Sequence, residues 1–291
     1  MKRVLSGIQP SGDLHIGNYF GMMSRMVEYQ ESSDLFCMIV NYHAMTTIQD
    51  RDLLRENTLN AATDFLALGL DPERTTFWAQ GDVPEVTELT WLLACITNMG
   101  LLERATSYKD KLAKGLTPNV GLFSYPLLMA SDILCFGANL VPVGKDQKQH
   151  LEMTRDMAIR FNQTFGEVFV VPEPDIEKDL GLIVGTDGQK MSKSYGNTLP
   201  IFGPQKKIRK KVMSIVTDST DIDLPKNPDT ALYHLSALFM TESERAELKE
   251  RFETPGMRYG DVKQELFERM MEHFGPYREK RESLVSRPDD V

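Results

Sequence analysis

With 291 residues, 41% of them hydrophobic, the chain can bury one large core or two ordinary ones. No apolar run approaches the length of about 18 residues that a membrane-spanning helix needs. The start, MKRVLSGIQ, lacks the apolar stretch of a signal peptide, so a cytoplasmic protein without membrane contact is expected. The net charge of −9 argues against a broad, nonspecific nucleic-acid binder but leaves room for a local basic face.

The first element is the short apolar run Val4-Leu5, read as a strand. It leads into SGIQPSGDLHIGNYFG, a turn with glycines at 7, 12, 17 and 21. A helix is expected from about Leu14 to Tyr29. On it His15 and Asn18 are three apart and share a face. Gly17 and Gly21 are four apart and leave a strip without side chains, suited to a planar group. The helix N-terminus favours phosphate. The stretch matches neither the dinucleotide fingerprint nor a P-loop. By itself it is equally a tight strand-to-helix connection.

Further strands are expected at LFCMIV (35–40), TFWA (76–79), LVPV (140–143) and LIV (182–184). Helical spacing runs over Arg51–Leu68, Glu85–Met99 and Asp146–Phe165. Gly69 and Gly166 stop the first and last of these. Strands alternating with helices imply an α/β fold, a parallel sheet covered on both faces. After about residue 200 strand-like runs vanish. Thr241-Glu242-Ser243-Glu244 is a capping box, and Asp261–Phe274 carries apolar residues at helical spacing. The expected division is therefore 1–198 and 199–291, the second part all-helical, with linkers near 200–204 and 221–229.

Cys37, Cys95 and Cys135 lie in apolar surroundings without any CxxC pair. Buried thiols are expected, with no zinc or iron–sulfur site. The five histidines (His15, His43, His150, His234, His273) offer no HExxH. The run KKIRKK sets Lys206, Lys207, Arg209, Lys210 and Lys211 together, which is either a solvated helix face or a contact for nucleic acid.

A second motif, Lys190-Met191-Ser192-Lys193-Ser194, is flanked by Gly185, Gly188 and Gly196. Two lysines three apart on a glycine-flanked loop can bring point charges to a polyphosphate. HIGN and KMSKS together resemble the two signatures of class I aminoacyl-tRNA synthetases. GIQPSG (7–12), IGNYFG (16–21), YPLLMASDIL (125–134) and VPVGKDQKQHLEMTRD (141–156) are similar to the bacterial-type tryptophanyl-tRNA synthetase family, in the family's order.

The resemblance implies a Rossmann-like catalytic domain at 1–198 and a helical anticodon-binding domain at 199–291. It also implies tryptophan activation with Mg²⁺-ATP, transfer to the 3′ end of tRNA(Trp), and a homodimer. Its implied ATP contacts are Gln9, Pro10, Ser11, Gly17, Asn18, Gly144, Lys145, Asp146, Ile183 and Lys190 to Ser194. Of these, Met191, Ser192 and Ser194 belong to the loop that carries the two lysines. Gly144, Lys145 and Asp146 would hold the ribose and Ile183 would flank the adenine. His15, Asn18, Lys190 and Lys193 would act on the phosphates, the two lysines gripping pyrophosphate.

For tryptophan the implied set is His43, Tyr125, Met129, Asp132, Val141, Val143 and Gln147. Tyr125, Met129 and Asp132 are spaced four and three apart, so on a helix they face one way. Asp132 offers an acceptor to the indole N–H and Gln147 would meet the α-amino group. No protein-bound metal is implied. The family usually continues past RPDDV into one more helix, so an incomplete C-terminal helix is expected. A tyrosine-specific relative and a regulatory paralogue that binds tryptophan and ATP are the alternative functions.

Overall fold

The computed structural model describes residues 1–10, 12–106, 108–109, 119–144, 147–176 and 183–291. Ser11, Lys145, Asp146 and Leu182 lie outside these.

Five strands form one parallel sheet in the order β3-β2-β1-β4-β5: β1 (Arg3–Ile8), β2 (Asp34–Ile39), β3 (Thr76–Ala79), β4 (Leu140–Val143) and β5 (Glu173–Ile176). Val4 is the register point for both neighbours of β1, pairing with Leu35 on β2 and Leu140 on β4. The order reverses at β1, and open α/β sheets bind ligands beyond the carboxyl ends of strands at such a reversal. The side chains beneath β1 and β4 make a core of Leu5, Met38, Ile133, Ala138, Val141 and Leu151.

The first helix, α1, starts as expected but is not uniform. It runs Ile16–Asn18, widens into a π-helical segment at Tyr19–Met23, and returns to α geometry at Ser24–Ser32. Such bulges are often found at functional sites. The helices α2 (Arg51–Ala67), α3 (Glu85–Ile96), α4 (Val120–Cys135) and α5 (Lys148–Phe165) follow the periodicity of the sequence. After them come α6 (Gln205–Met213), α7 (Ala231–Ala237), α8 (Glu242–Glu253) and α9 (Tyr259–Val285). The capping box of α8 forms, with Glu244 Oε2 accepting from the Thr241 backbone N–H at 2.8 Å.

Four expectations change. β5, reading EPDI, is a strand that periodicity misses, because its proline and acids suit only the sheet edge it occupies. Of the strand expected at LIV (182–184), Leu182 lies outside the described residues and Val184 makes only an isolated antiparallel bridge to Lys190. Of the three thiols only Cys37 is buried, and burial pushes it up to about 12; Cys95 and Cys135 are exposed. The helix expected over 261–274 extends to Val285, because Phe274 remains fully buried and draws the next turns along.

The chain gathers into two compact units, one of residues 1–12, 26–62 and 70–178, the other of 13–25, 63–69 and 179–291. The first holds the sheet. The second holds the start of α1, the KMSKS loop and the C-terminal helices. Aromatic edges explain this grouping. Tyr19 and Phe274 have ring centroids 5.0 Å apart, and Phe20 and Phe239 are 5.2 Å apart, all at steep angles.

Candidate active site

Within the sheet unit, three elements converge on Asp132. The carboxylate sits on α4 and is 1% exposed. Gln80, just beyond β3, donates its amide to both Asp132 oxygens at 2.8 Å. His43, in the one-turn helix Asn41–Ala44 beyond β2, meets Asp132 Oδ2 through Nε2 at 3.0 Å. The orientation of Gln80 is fixed from its other end, where Oε1 accepts the backbone N–H of Tyr42 at 3.0 Å. A backbone N–H can only donate, so the amide NH₂ must face Asp132, which must accept. A buried carboxylate survives only with such partners. A surface or helix-capping role for Asp132 is thereby excluded.

Beside this group the His43 and Tyr125 rings lie 6.3 Å apart. The Tyr125 hydroxyl pairs with His150 Nε2, and His150 Nδ1 donates to Gln147 Oε1 at 3.0 Å. Tyr125 and Asp132 therefore do share the inner side of α4. Met129 and Val143 are half-buried against the core that contains Val141. Val141 itself is 4% exposed and packs in that core. Gln9 and Pro10 follow β1, and Gly144 follows β4, so both sit past the carboxyl ends of neighbouring strands. Sequence spacing did not single out Gln80 or His150. A lone glutamine after a strand carries no signal, and a histidine inside an amphipathic helix reads as core.

In the second unit, HIGN and KMSKS touch. A Cβ on Gly17 would stand 3.0 Å from His15 Nδ1 and 3.2 Å from Met191 Sδ. The strip beside Gly17 is thus lined by His15 and Met191, whereas Gly21 faces open space. Asn18 Oδ1 accepts from the His15 backbone N–H at 3.1 Å, which leaves the NH₂ donors as the end able to reach a phosphate. The segment after the loop fastens to the same place, with Ile16 N–H donating to Leu199 O at 3.0 Å. His15 is buried, and burial first, then the Lys193 charge, lowers its pKa to about 4. It is therefore a neutral imidazole at pH 7, a hydrogen-bonding group and not a cation. Burial also lowers Lys193, while Asp13 and Asp64 oppose that shift.

The loop has a pin that the sequence did not reveal. Asn197, 2% exposed, accepts from Ser192 N–H at 2.8 Å and donates to Asp187 Oδ1 at 2.8 Å and Lys190 O at 3.0 Å. Ser192 and Ser194 hydroxyls lie 2.8 Å apart, and Met191 N–H donates to Ile183 O at 2.8 Å. Gly185 makes the pin possible, because a Cβ there would fall 2.3 Å from Asn197 Cγ. Gly185→Ala should displace Asn197 and cost about 1–3 kcal/mol of stability. Thermal unfolding together with pyrophosphate exchange checks this; a variant with unchanged melting and exchange would contradict the packing.

The sheet order and the contact between these two segments place the chain among class I aminoacyl-tRNA synthetases. The family model described as tRNA synthetases class I (W and Y) matches residues 1–275, and the chain belongs to that family. It is 55% identical to a tryptophan–tRNA ligase of Fusobacterium nucleatum, over all of this chain and 90% of that protein. A tryptophan–tRNA ligase of Rhodopirellula baltica is 51% identical over 99% of this chain and 91% of the relative. Among solved structures, the tryptophanyl-tRNA synthetase of Campylobacter jejuni, complexed with ADP and tryptophan, superposes with a TM-score of 0.93. It is 52% identical, covering 99% of this chain and 91% of the other.

Proposed function

We propose that this protein activates L-tryptophan with ATP, forming tryptophanyl-adenylate and pyrophosphate, and then transfers tryptophan to the 3′ end of tRNA(Trp). The observation that carries the activation step is the contact of the HIGN helix start with the KMSKS loop. The tryptophan carboxylate attacks the α-phosphorus in line, and pyrophosphate leaves. No protein nucleophile is needed, because positioning and charge stabilisation supply the acceleration.

The roles divide by unit. In the sheet unit Asp132 accepts the indole N–H, with Gln80 and His43 holding the carboxylate in place. Tyr125, Met129, Val141 and Val143 shape the surroundings of the ring, and Gln147, held by His150, meets the α-amino group. Gln9, Pro10, Ser11, Gly144, Lys145 and Asp146 serve ATP. In the other unit neutral His15 and Asn18 offer hydrogen bonds to phosphate, Gly17 and Ile183 flank the adenine, and Lys190 and Lys193 supply the charge. Met191, Ser192 and Ser194 shape the loop that carries those lysines. Magnesium enters with the substrate as Mg²⁺-ATP, held by phosphate oxygens and water. ATP–pyrophosphate exchange across the twenty amino acids tests this reading: tryptophan alone should give strong exchange, and equal exchange with tyrosine would reject it.

Residues 199–291 serve as the anticodon-binding domain. Its basic helix α6 buries Ile208 and Val212 and exposes its lysines. Lys211 donates to Gly196 O at 2.8 Å and Arg209 to Gln264 Oε1 at 3.0 Å, so these two also support structure. The clean test replaces Lys206, Lys207 and Lys210 with glutamine. Charging of tRNA should fall about tenfold or more at moderate salt, with a shallower salt dependence, while tryptophan activation stays within about twofold of the parent. Equal loss in both assays would refute a tRNA contact there.

The protein works as a homodimer. Trp91 and Leu92 on α3, and Met99 at the start of the short helix Met99–Glu103 that follows, are large apolar side chains left exposed, a concentration that suits a subunit interface. Among the described residues no helix is long and apolar enough to cross a membrane.

A further inference from the structure

His150 lies in the first turn of α5 and is 3% exposed. Both of its ring nitrogens are engaged. Nε2 meets the Tyr125 hydroxyl of α4, and Nδ1 meets Oε1 of Gln147, the residue at the N-cap of α5, at 3.0 Å. The Tyr125 and His150 rings also pack edge to face, with centroids 5.3 Å apart. The chemistry of the two ends fixes the direction of this chain. Gln147 Oε1 is a carbonyl oxygen and can only accept, so Nδ1 carries the hydrogen. A neutral imidazole has one N–H, so Nε2 is an acceptor and the Tyr125 hydroxyl donates to it. The Tyr125 and Gln147 oxygens, joined to one imidazole, therefore both stand as acceptors. An ammonium group has three donors and no acceptor, so it requires that polarity. The opposite tautomer would point the Tyr125 hydrogen away from the ring and set a donor against a donor.

We propose that neutral His150 is a positioning residue for the α-ammonium of the amino-acid substrate: its tautomer sets the Tyr125 hydroxyl and the Gln147 amide as acceptors for that one group. This rests on the reading of Gln147 as the residue that meets the α-amino group. His150 itself touches no substrate atom. It acts by deciding which way two neighbouring hydrogen-bonding groups face, and a hydroxyl rotor or an amide without such a partner takes either orientation. The role is separate from that of Asp132, which Gln80 and His43 hold for the indole end. The two ends of the substrate can therefore be tested apart.

The experiment measures inhibition of tryptophan-dependent pyrophosphate exchange by two analogues. Tryptamine keeps the ammonium and lacks the carboxylate; indolepropionate keeps the carboxylate and lacks the ammonium. His150→Phe retains a ring against Tyr125 but neither nitrogen. In it the inhibition constant of tryptamine should rise about tenfold, the scale of a hydrogen bond to a charged group, while that of indolepropionate stays within about twofold. KM for tryptophan should follow tryptamine, and KM for ATP should hold. Inhibition constants do not depend on the fraction folded, so the comparison separates positioning from loss of stability. His150→Asn can reach Gln147 but is too short to reach Tyr125 as well. It should raise the tryptamine constant by about threefold, and it carries the test if His150→Phe does not fold. Equal rises for both analogues, the mark of a merely structural residue, or an unchanged tryptamine constant would overturn the proposal. Gln147→Ala, measured alongside, tests the reading beneath it. If Gln147→Ala weakens tryptamine selectively and the His150 variants do not, the proposal alone fails. If Gln147→Ala moves neither constant, the α-amino role of Gln147 fails and the proposal falls with it.

Discussion

Lys193→Ala should slow tryptophan-dependent pyrophosphate exchange by about 100- to 1,000-fold, the cost of removing one group aimed at charge that develops in the transition state. Three observations make this the largest expected loss. The lysine sits on a loop pinned by Asn197, so its backbone does not wander. Its neighbour Met191 lies against Gly17 of the HIGN helix, which brings the loop to the helix N-terminus. The remaining imidazole there is neutral, with His15 lowered to about 4, so the histidine does not replace the missing positive charge. The loss should fall on kcat and on KM for ATP, with binding of tryptophan little changed. Rates from stopped-flow or exchange assays check this, and a Lys193→Ala variant within about threefold of the parent would remove the charge-stabilisation role.

The second large effect is expected at Asp132. Replacing it with asparagine keeps the size but turns one oxygen into an NH₂. Gln80 cannot turn in response, because its own oxygen is tied to the Tyr42 backbone N–H. The new side chain must therefore point its oxygen at Gln80 and its NH₂ at His43 Nε2 or the indole side. Either a donor then faces the indole N–H or a buried donor loses its partner, at about 1–3 kcal/mol. Tryptophan kcat/KM in exchange should fall about tenfold or more, while KM for ATP holds. Asp132→Ala should also lower the melting temperature, since the buried Gln80 amide loses both its acceptors. An Asp132→Asn variant that still selects tryptophan at the parent rate would show that another group reads the indole nitrogen.

Much of this was legible in the sequence for local reasons. The strands LFCMIV, TFWA and LVPV are short and rich in residues that suit a pleated, buried surface. The helices carry their apolar residues at helical spacing, and Thr241 to Glu244 caps α8 by rules that act over a single turn. The glycine and lysine motifs of the two signatures were also visible, because the chemistry of phosphate limits which residues can meet it. EPDI was not legible, since an edge strand needs little apolar patterning. The exposure of Cys95 and Cys135 was not legible either, because an apolar neighbourhood in sequence does not say which side of a helix faces inward.

The sequence by itself determined the parallel α/β sheet, the helical C-terminal region and the chemical character of both signature segments. Periodicity and short-range hydrogen bonding act within a few residues and leave their mark there. Only the tertiary structure decided that Asp132 is a buried acceptor clamped by Gln80 and His43, that His15 is neutral, and that His150 joins Tyr125 to Gln147. Those facts depend on which distant side chains share a desolvated space, and no local pattern encodes who the neighbours will be.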